Sequence, residues 1–428
     1  MHVHVLLLVF ARETLRRFQN RSILTIMINM NGQEALYMTA QEAAATLSVS
    51  PATIYAYVSR GLIRSESSAE GRSKRYRAED VRALKERRAP ADSKAPVETA
   101  TAFAFDSAIC LITPEGPFYR GASAAELSQS ASFEHVAALL WDAKDGDPFA
   151  ETGTPALWHK LERYVAALAD RPFIDRAVAV MSLASSLDPA AFNGTNAGGA
   201  AIGVRAIRLL TALATGQAPE RKPIHRQLAD AWAPGKREAA DLLRRALVLI
   251  ADHELNASTF AARVAVSTGT SIYDALSAAL TTLKGPRHGG ASTRAVRFIA
   301  RIAASDAETE IRELRAMGER LPGFGHLLYR MADPRAMALL KALTSAGADR
   351  RLTEGVVSAA WTIAGVDPNI DYAHGVLSHH LGLPPLAELT LFAIGRTAGW
   401  TAHAMEQRAT GQLIRPRARY VGPAPRGA

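Results

Sequence analysis

Two histidines and one aspartate stand in three short, turn-forming segments of this chain. The segments are Gly285-Pro286-Arg287-His288-Gly289-Gly290-Ala291, Gly323-Phe324-Gly325-His326 running on to Asp333-Pro334-Arg335, and Asn369-Ile370-Asp371. Glycine and proline around an ionisable side chain let the backbone hold an unusual turn and let a ligand approach closely. Two imidazoles and a carboxylate on separate loops are suited to taking a proton from the carbon beside a carbonyl and steadying the enol that results.

Something rigid must hold those loops. From Ala124 onward, Ala, Leu and Val recur at helical spacing, broken by Gly and Pro. The pattern predicts helices over Phe133 to Leu140, Ala156 to Leu168, Ile174 to Leu187, Ala200 to Leu213, Lys236 to Ile250, Asn256 to Ser267 and Ile272 to Leu283. The fold class expected is therefore mainly α, a helical body whose loops carry the chemistry. Just before it, Ala108 to Ile112, the Pro114-Glu115-Gly116 turn and Phe118-Tyr119-Arg120 predict a small antiparallel hairpin.

Residues 37–88 read as a separate small unit. Thr39-Ala40-Gln41-Glu42 is a capping box that opens one helix. Ser48-Val49 turns the chain, Ser50 caps a second helix with Pro51 at its first position, and Gly61 stops it. Ile54 and Val58 are expected to face inward, leaving Thr53, Tyr55, Tyr57 and Arg60 on the outer face. Leu62-Ile63 and Arg75-Tyr76-Arg77 flank a polar stretch and suit a hairpin wing carrying Arg72, Lys74 and Arg75. This order, with Ser50-Pro51-Ala52-Thr53-Ile54-Tyr55 followed by Arg60-Gly61-Leu62-Ile63, resembles the winged helix-turn-helix of mercury-resistance-regulator (MerR) and excisionase proteins. The resemblance implies DNA as a partner, bound through Thr53, Tyr55, Tyr57, Arg60, Arg72, Lys74 and Arg75.

Bulk properties agree with a packed protein of more than one domain. The chain has 428 residues, 48% hydrophobic and 21% charged, which excludes a disordered chain. The net charge of +9 is concentrated between Arg60 and Arg88, where it is able to neutralise phosphates. A lone cysteine, Cys110, excludes an internal disulfide framework and fits a reducing, cytoplasmic location. Residues 89–102, rich in Ala, Pro, Ser and Asp, read as a linker. Residues 1–36 read as an N-terminal extension without assigned function. Its apolar run Val5 to Phe10 is too short to span a bilayer.

The three segments, in their order and separation, resemble citrate synthase over about Phe103 to Gly422. Ala251-Asp252-His253-Glu254-Leu255-Asn256-Ala257-Ser258-Thr259, Gly395-Arg396-Thr397-Ala398-Gly399-Trp400 with Ala402-His403, and Arg415-Pro416-Arg417 extend the match. The resemblance implies a two-domain helical fold over residues 103–423, with a large domain at 103–287 and 386–423 and a small one at 288–385. It implies that Asp371 is the base, that His288 hydrogen-bonds the thioester oxygen, and that His326 polarises the acceptor ketone. It places Arg335, Arg396 and Arg415 on substrate carboxylates, with His253 and Phe392 against the acceptor and Arg330 on a CoA phosphate. Arginine suits this task because its planar fork binds carboxylates bidentately. Arg415 would enter a partner subunit's site in a homodimer.

By the same resemblance the substrates are oxaloacetate and acetyl-CoA or another acyl-CoA. No metal or prosthetic group is expected, since no metal-ligand spacing occurs, and no membrane partner is expected. Asp333 reads as a cap or turn residue, and His403 as a structural histidine. Leu327, in place of the basic residue many relatives carry there, and Tyr372-Ala373-His374 depart from the usual pattern. Two other readings compete: a 2-methylcitrate synthase using propionyl-CoA, and a transcription regulator that senses citrate, oxaloacetate or an acyl-CoA through a synthase-like body.

Overall fold

The computed structural model describes residues 37–47, 49–59, 62–67, 74–77, 80–81, 84, 105–144, 146–329, 331–419 and 421–422. The expected extension, the linker, and Arg60, Arg72 and Arg330 lie outside the described residues. The chain divides into two units, one through Phe105 and one from Asp106 onward.

The first unit begins with β1 (Tyr37–Met38), followed by α1 (Ala40–Leu47), α2 (Pro51–Ser59), β2 (Ser65–Ser67) and β3 (Lys74–Arg77). The capping box forms as read: Thr39 Oγ1 accepts from the Glu42 amide at 3.2 Å, and Glu42 Oε2 accepts from the Thr39 amide at 2.8 Å. The strands make one antiparallel sheet in the order β1-β3-β2, with Ser65 opposite Tyr76. The wing strand thus starts beyond Leu62-Ile63, because Ile63 is drawn into the core with Ala43, Ala44, Leu47, Ile54, Tyr76, Val81 and Leu84.

Tyr57 corrects the sequence reading. It is buried rather than presented on an outer face. Ile54 and Tyr57 stand three residues apart on one helical face, and the aromatic ring joins Tyr76 and the aliphatic side chains of this core. Val58 is only half-buried. Tyr55 keeps the expected exposure at 55%, and Lys74 and Arg75 are exposed on β3. Thr53 is half-buried and pairs with Ser50 at the start of α2, the two hydroxyls 3.0 Å apart.

The second unit opens with an antiparallel sheet of β4 (Cys110–Thr113), β5 (Gly116–Tyr119) and β6 (Ala122–Ser123), so the expected hairpin gains a third strand. Fifteen α-helices follow among the described residues. The first eight are α3 (Ala124–Ser130), α4 (Phe133–Leu140), α5 (Thr154–Ala167), α6 (Phe173–Leu187), α7 (Asn196–Thr215), α8 (Ile224–Trp232), α9 (Ala239–Leu249) and α10 (Ala257–Ser267). The remainder are α11 (Ile272–Leu283), α12 (Gly290–Ala304), α13 (Ala307–Ala316), α14 (Pro334–Ser345), α15 (Val356–Ala364), α16 (Ile370–Leu381) and α17 (Ala387–Thr410).

The predicted helices all occur, and α4 and α11 have the predicted ends. Helix α7 starts earlier than its apolar run because Thr195 caps it, accepting from the Gly198 amide at 3.0 Å. By length and composition α7 is apolar enough to cross a membrane, but 78% of that window is buried inside this unit as a core helix. Two helices matter most for the site. Helix α17 runs through the core against α7, α10 and α11, with Trp400 fully buried. Helix α16 packs against α12 and α14, which brings the chemistry-bearing ends of three helices together.

Candidate active site

The loop of His326 and the loop of Asp371 are laced to each other by backbone. The Gly325 amide donates to Asp367 O at 2.8 Å, the Asn369 amide donates to Gly323 O at 2.9 Å, and Phe324 bridges Pro368. Asn369 Nδ2 adds a bond to Gly325 O at 2.9 Å. Gly323 is needed here: its φ is +82°, and a Cβ would lie 2.9 Å from Tyr372 Cα. The glycines read as turn formers therefore let two of the three sequence segments become one surface.

Asp333 ties that surface to a cation. Its Oδ1 accepts from Arg335 Nε at 3.0 Å, and its Oδ2 accepts from Arg335 Nη2 at 2.8 Å and from the Ile370 amide at 3.1 Å. Asp333 also caps α14, as read, by accepting from the Arg335 amide. Arg335 is 3% exposed. Burial alone would raise Asp333, but the Arg335 guanidinium holds it below the ordinary carboxylate range. The sequence reading found the cap and missed the ion pair; the two-residue spacing from Asp333 to Arg335 was the available signal.

Asp371 sits in the first turn of α16, its amide donating to Asn369 Oδ1 at 3.0 Å and its Oδ1 accepting from the Ser292 hydroxyl on α12. Removal from water raises its pKa, against the Ser292 hydrogen bond and the nearby Arg335 charge. Three residues on, His374 is buried, and neither ring nitrogen finds a hydrogen-bond partner among the described residues. Burial pushes His374 down to about 3.

His326 stands edge-on to His253, ring centres 5.3 Å apart, and 4.7 Å from the ring of Tyr329. His326 Nδ1 accepts from the Leu328 amide at 3.1 Å, which leaves Nε2 to carry the ring proton. His253 Nε2 pairs with the Tyr329 hydroxyl at 2.9 Å. Burial, helped by the Arg335 charge, brings His326 down to about 4. Burial also takes His253 well below the usual histidine value, with Arg335 and Arg396 adding to it. These are neutral imidazoles at neutral pH.

His288 precedes α12, four residues before Ser292. Its Nε2 lies 2.8 Å from Ser258 Oγ, and that oxygen also accepts from Trp400 Nε1 at 3.2 Å. Phe392 meets the His288 ring edge-on at 6.0 Å, and the Arg396 guanidinium lies 4.7 Å from the Phe392 ring centre. Burial and Arg396 together lower His288 to about 4.

Arg396 is 1% exposed. Its Nε donates to Ile250 O at 2.7 Å, while Nη1 has no partner among the described residues. An unpaired buried guanidinium nitrogen is costly, and an anion supplies what it lacks. Behind it, Asp252 is fully buried and pairs with His403 Nε2 at 3.3 Å. His403 Nδ1 accepts from Arg263 at 2.9 Å, so His403 serves this buried framework as a structural residue.

Hydrogen bonds and ring contacts thus link His326 to His253 and His288 through Phe392 to Arg396, while Asp371 joins α12 through Ser292. Charge effects of Arg335 and Arg396 span the groups. Arg415 is not among them: it is exposed after α17 and makes no hydrogen bond or ion pair among the described residues. Ser258, Ser292, Asp252 and Tyr329 are site neighbours that spacing did not single out. Beside His326, a cavity of about 360 Å³ is lined by Arg315, Arg320, Phe324 and Leu327 among others. Among the described residues, no cluster of His, Cys, Asp and Glu has the makings of a metal site.

Comparison with known proteins adds independent information. The family described as citrate synthase, C-terminal domain, matches residues 99–417, and a helix-turn-helix domain matches residues 37–89. Citrate synthase 2 of Bacillus subtilis is 39% identical over 190 residues, 43% of this chain and 51% of that protein. The 2-methylcitrate synthase of Shewanella oneidensis is 37% identical over 187 residues, 42% of this chain and 50% of that protein. These alignments span about half the length of the curated relatives concerned. A citrate synthase of Mycolicibacterium smegmatis is 30% identical over 345 residues, 74% of this chain and 92% of that protein. The crystal structure of citrate synthase from Thermotoga maritima superposes with a TM-score of 0.63 at 26% identity, covering 76% of this chain and 94% of that one.

Proposed function

The chain belongs to the citrate synthase family, and from that premise we propose that it condenses acetyl-CoA with oxaloacetate to give citrate and free CoA. The observation that carries the proposal is the buried Arg396 guanidinium with Nη1 unpartnered among the described residues, whose charge, with that of Arg335, acts on His253. A dicarboxylate acceptor answers that need, and the neutral imidazoles around it supply hydrogen bonds without adding charge.

The chemistry then falls to named groups. Asp371, ionised, takes a proton from the methyl carbon of the thioester. The electron pair left behind moves onto the thioester oxygen, where His288 steadies it by a hydrogen bond. The Ser258 hydroxyl has one proton and two acceptors, His288 Nε2 and Asn256 Oδ1, the latter at 2.8 Å. When Ser258 donates to His288, Nδ1 carries the ring proton and is the donor to the enol oxygen. The enol carbon attacks the ketone carbon of oxaloacetate, His326 gives its Nε2 proton to the new alkoxide, and the proton held by Asp371 returns through solvent to His326 Nε2, restoring both groups. Water then cleaves the thioester and CoA leaves as the thiol.

The cavity beside His326, with Arg315 and Arg320 on its wall, is suited to an anionic CoA, and Arg330 remains the proposed phosphate contact. We also propose a homodimer in which the exposed Arg415 reaches its partner's site. No cofactor is proposed.

Release of free thiol from acetyl-CoA plus oxaloacetate tests the reading, and propionyl-CoA run in parallel tests the 2-methylcitrate alternative. One methyl group changes pocket binding by ~1–3 kcal/mol, so the ratio of kcat/KM values separates the two. No thiol release with either would sink the enzyme reading. The helix-turn-helix match and the exposed Tyr55, Lys74 and Arg75 favour a second role, binding DNA. That binding should weaken steeply with salt and vanish on deletion of residues 37–90.

A further inference from the structure

Helix α17 presents Glu388, Phe392 and Arg396 at successive four-residue steps, on one face. Phe392 and Arg396 belong to the site already described. Glu388, in the first turn, is 2% exposed, and its Oε1 lies 3.1 Å from Thr293 Oγ1 on α12. Thr293 is the neighbour of Ser292, whose hydroxyl holds Asp371. Two buried carboxyl groups are therefore fastened to consecutive hydroxyl residues of one helix.

Their surroundings differ. Asp371 is faced by Arg335 from α14, by Arg294 and the Ser292 hydroxyl from α12, and by Asp333, which opposes them. Glu388 is faced by the Thr293 hydroxyl from α12 and by the Asp371 carboxylate from α16, and no cation acts on it among the described residues. Two carboxylates that sense each other in a buried setting do not both ionise readily, and cations decide which one does.

We propose that Glu388 and Asp371 form a carboxyl pair carrying one negative charge, with the proton on Glu388 and the charge on Asp371. Glu388 is then a positioning residue: it touches no reacting atom, and it fixes where the charge of the base resides. The proposal rests on the reading of Asp371 as the base. Burial, with the Asp371 charge, raises Glu388 against the hydrogen bonds from its own amide and from Thr293, which agrees with its holding the proton.

Infrared spectroscopy of the full-length protein tests this without any substrate. The carbonyl band of a protonated carboxylic acid is expected near neutral pH, lost in Glu388→Gln. In Asp371→Asn that band is expected to titrate out at lower pH, by ~1 unit or more, because the like charge is gone. A band absent from the wild type, untouched by Glu388→Gln, or titrating identically in Asp371→Asn overturns the pairing. Turnover supplies a second reading. The alkaline limb of the pH profile is expected to move up by ~1 unit in Glu388→Gln, since a second negative charge no longer forms beside the enol. Superimposable profiles overturn the proposal. A coupled band in a protein without turnover would sink the acyltransferase reading and leave the pair standing, and turnover without the band would do the reverse.

Discussion

One carboxylate oxygen of Asp333 accepts both from Arg335 Nη2 at 2.8 Å and from the Ile370 amide at 3.1 Å, so the residue that holds the buried Arg335 guanidinium also fixes the turn before Asp371. Both partners are buried. Asp333→Ala is therefore expected to cost ~3–5 kcal/mol in denaturant unfolding, since Arg335 would be left charged and uncompensated. The sign with pH follows from the lowered Asp333 value. Its contribution is present above the ordinary carboxylate value of 3.8 and is lost as pH falls through the lower folded value. A variant as stable as the wild type at pH 7 would refute the ion pair's importance.

Asp371→Asn keeps the shape of the side chain and removes the proposed base. Turnover is expected to drop by ~10²–10⁴-fold, while calorimetry still shows oxaloacetate binding. Because burial raises Asp371 above 3.8, wild-type activity should climb with pH through a midpoint above that value. An acid limb at or below 3.8 would contradict the buried placement.

His288 and His326 are each brought to about 4 by burial, so neither should titrate between pH 5 and 8. Nitrogen NMR of labelled histidines checks this directly. The stability they contribute as neutral rings is full above the ordinary value of 6.5 and is lost as pH falls from there towards 4. Ring resonances moving near pH 6.5 would show instead that these side chains are open to water.

Gly399 lets α17 press on the Asp252 loop. A Cβ there would lie 2.2 Å from Asp252 Oδ1 and 2.6 Å from Ala251 O. Gly399→Ala is expected to cost ~1–3 kcal/mol by overpacking. It should also raise KM for oxaloacetate, because His253 follows Asp252 directly. Unchanged KM would mean that the loop yields without moving His253.

In the first unit, Tyr57 and Tyr55 should respond oppositely. Tyr57→Ala empties the small core and is expected to cost ~3–5 kcal/mol, a large-to-small core change. Tyr55→Ala, or Lys74→Ala with Arg75→Ala, should leave folding intact and weaken DNA binding. Retained affinity in those surface variants would remove DNA from the list of partners.

Local chemistry was enough to read much of this protein. Capping at Thr39, the hairpin at Gly116, the helix from Phe133 to Leu140 and the turn-forming glycines around His288 and His326 depend on nearest neighbours and on periodicity, which a sequence displays. Residue type and order also named the imidazoles, the carboxylate and the arginines. Burial and partnership across the chain were decided only by the packed helices. Tyr57 went inward because it shares the face of Ile54 that meets the small core, and Asp333 became a partner of Arg335 as well as a cap. Asp371 met Ser292 and Glu388 met Thr293 because α16 and α17 both pack against α12. Such choices turn on which surfaces meet in three dimensions, and no spacing along one strand of text encodes the energy of that meeting.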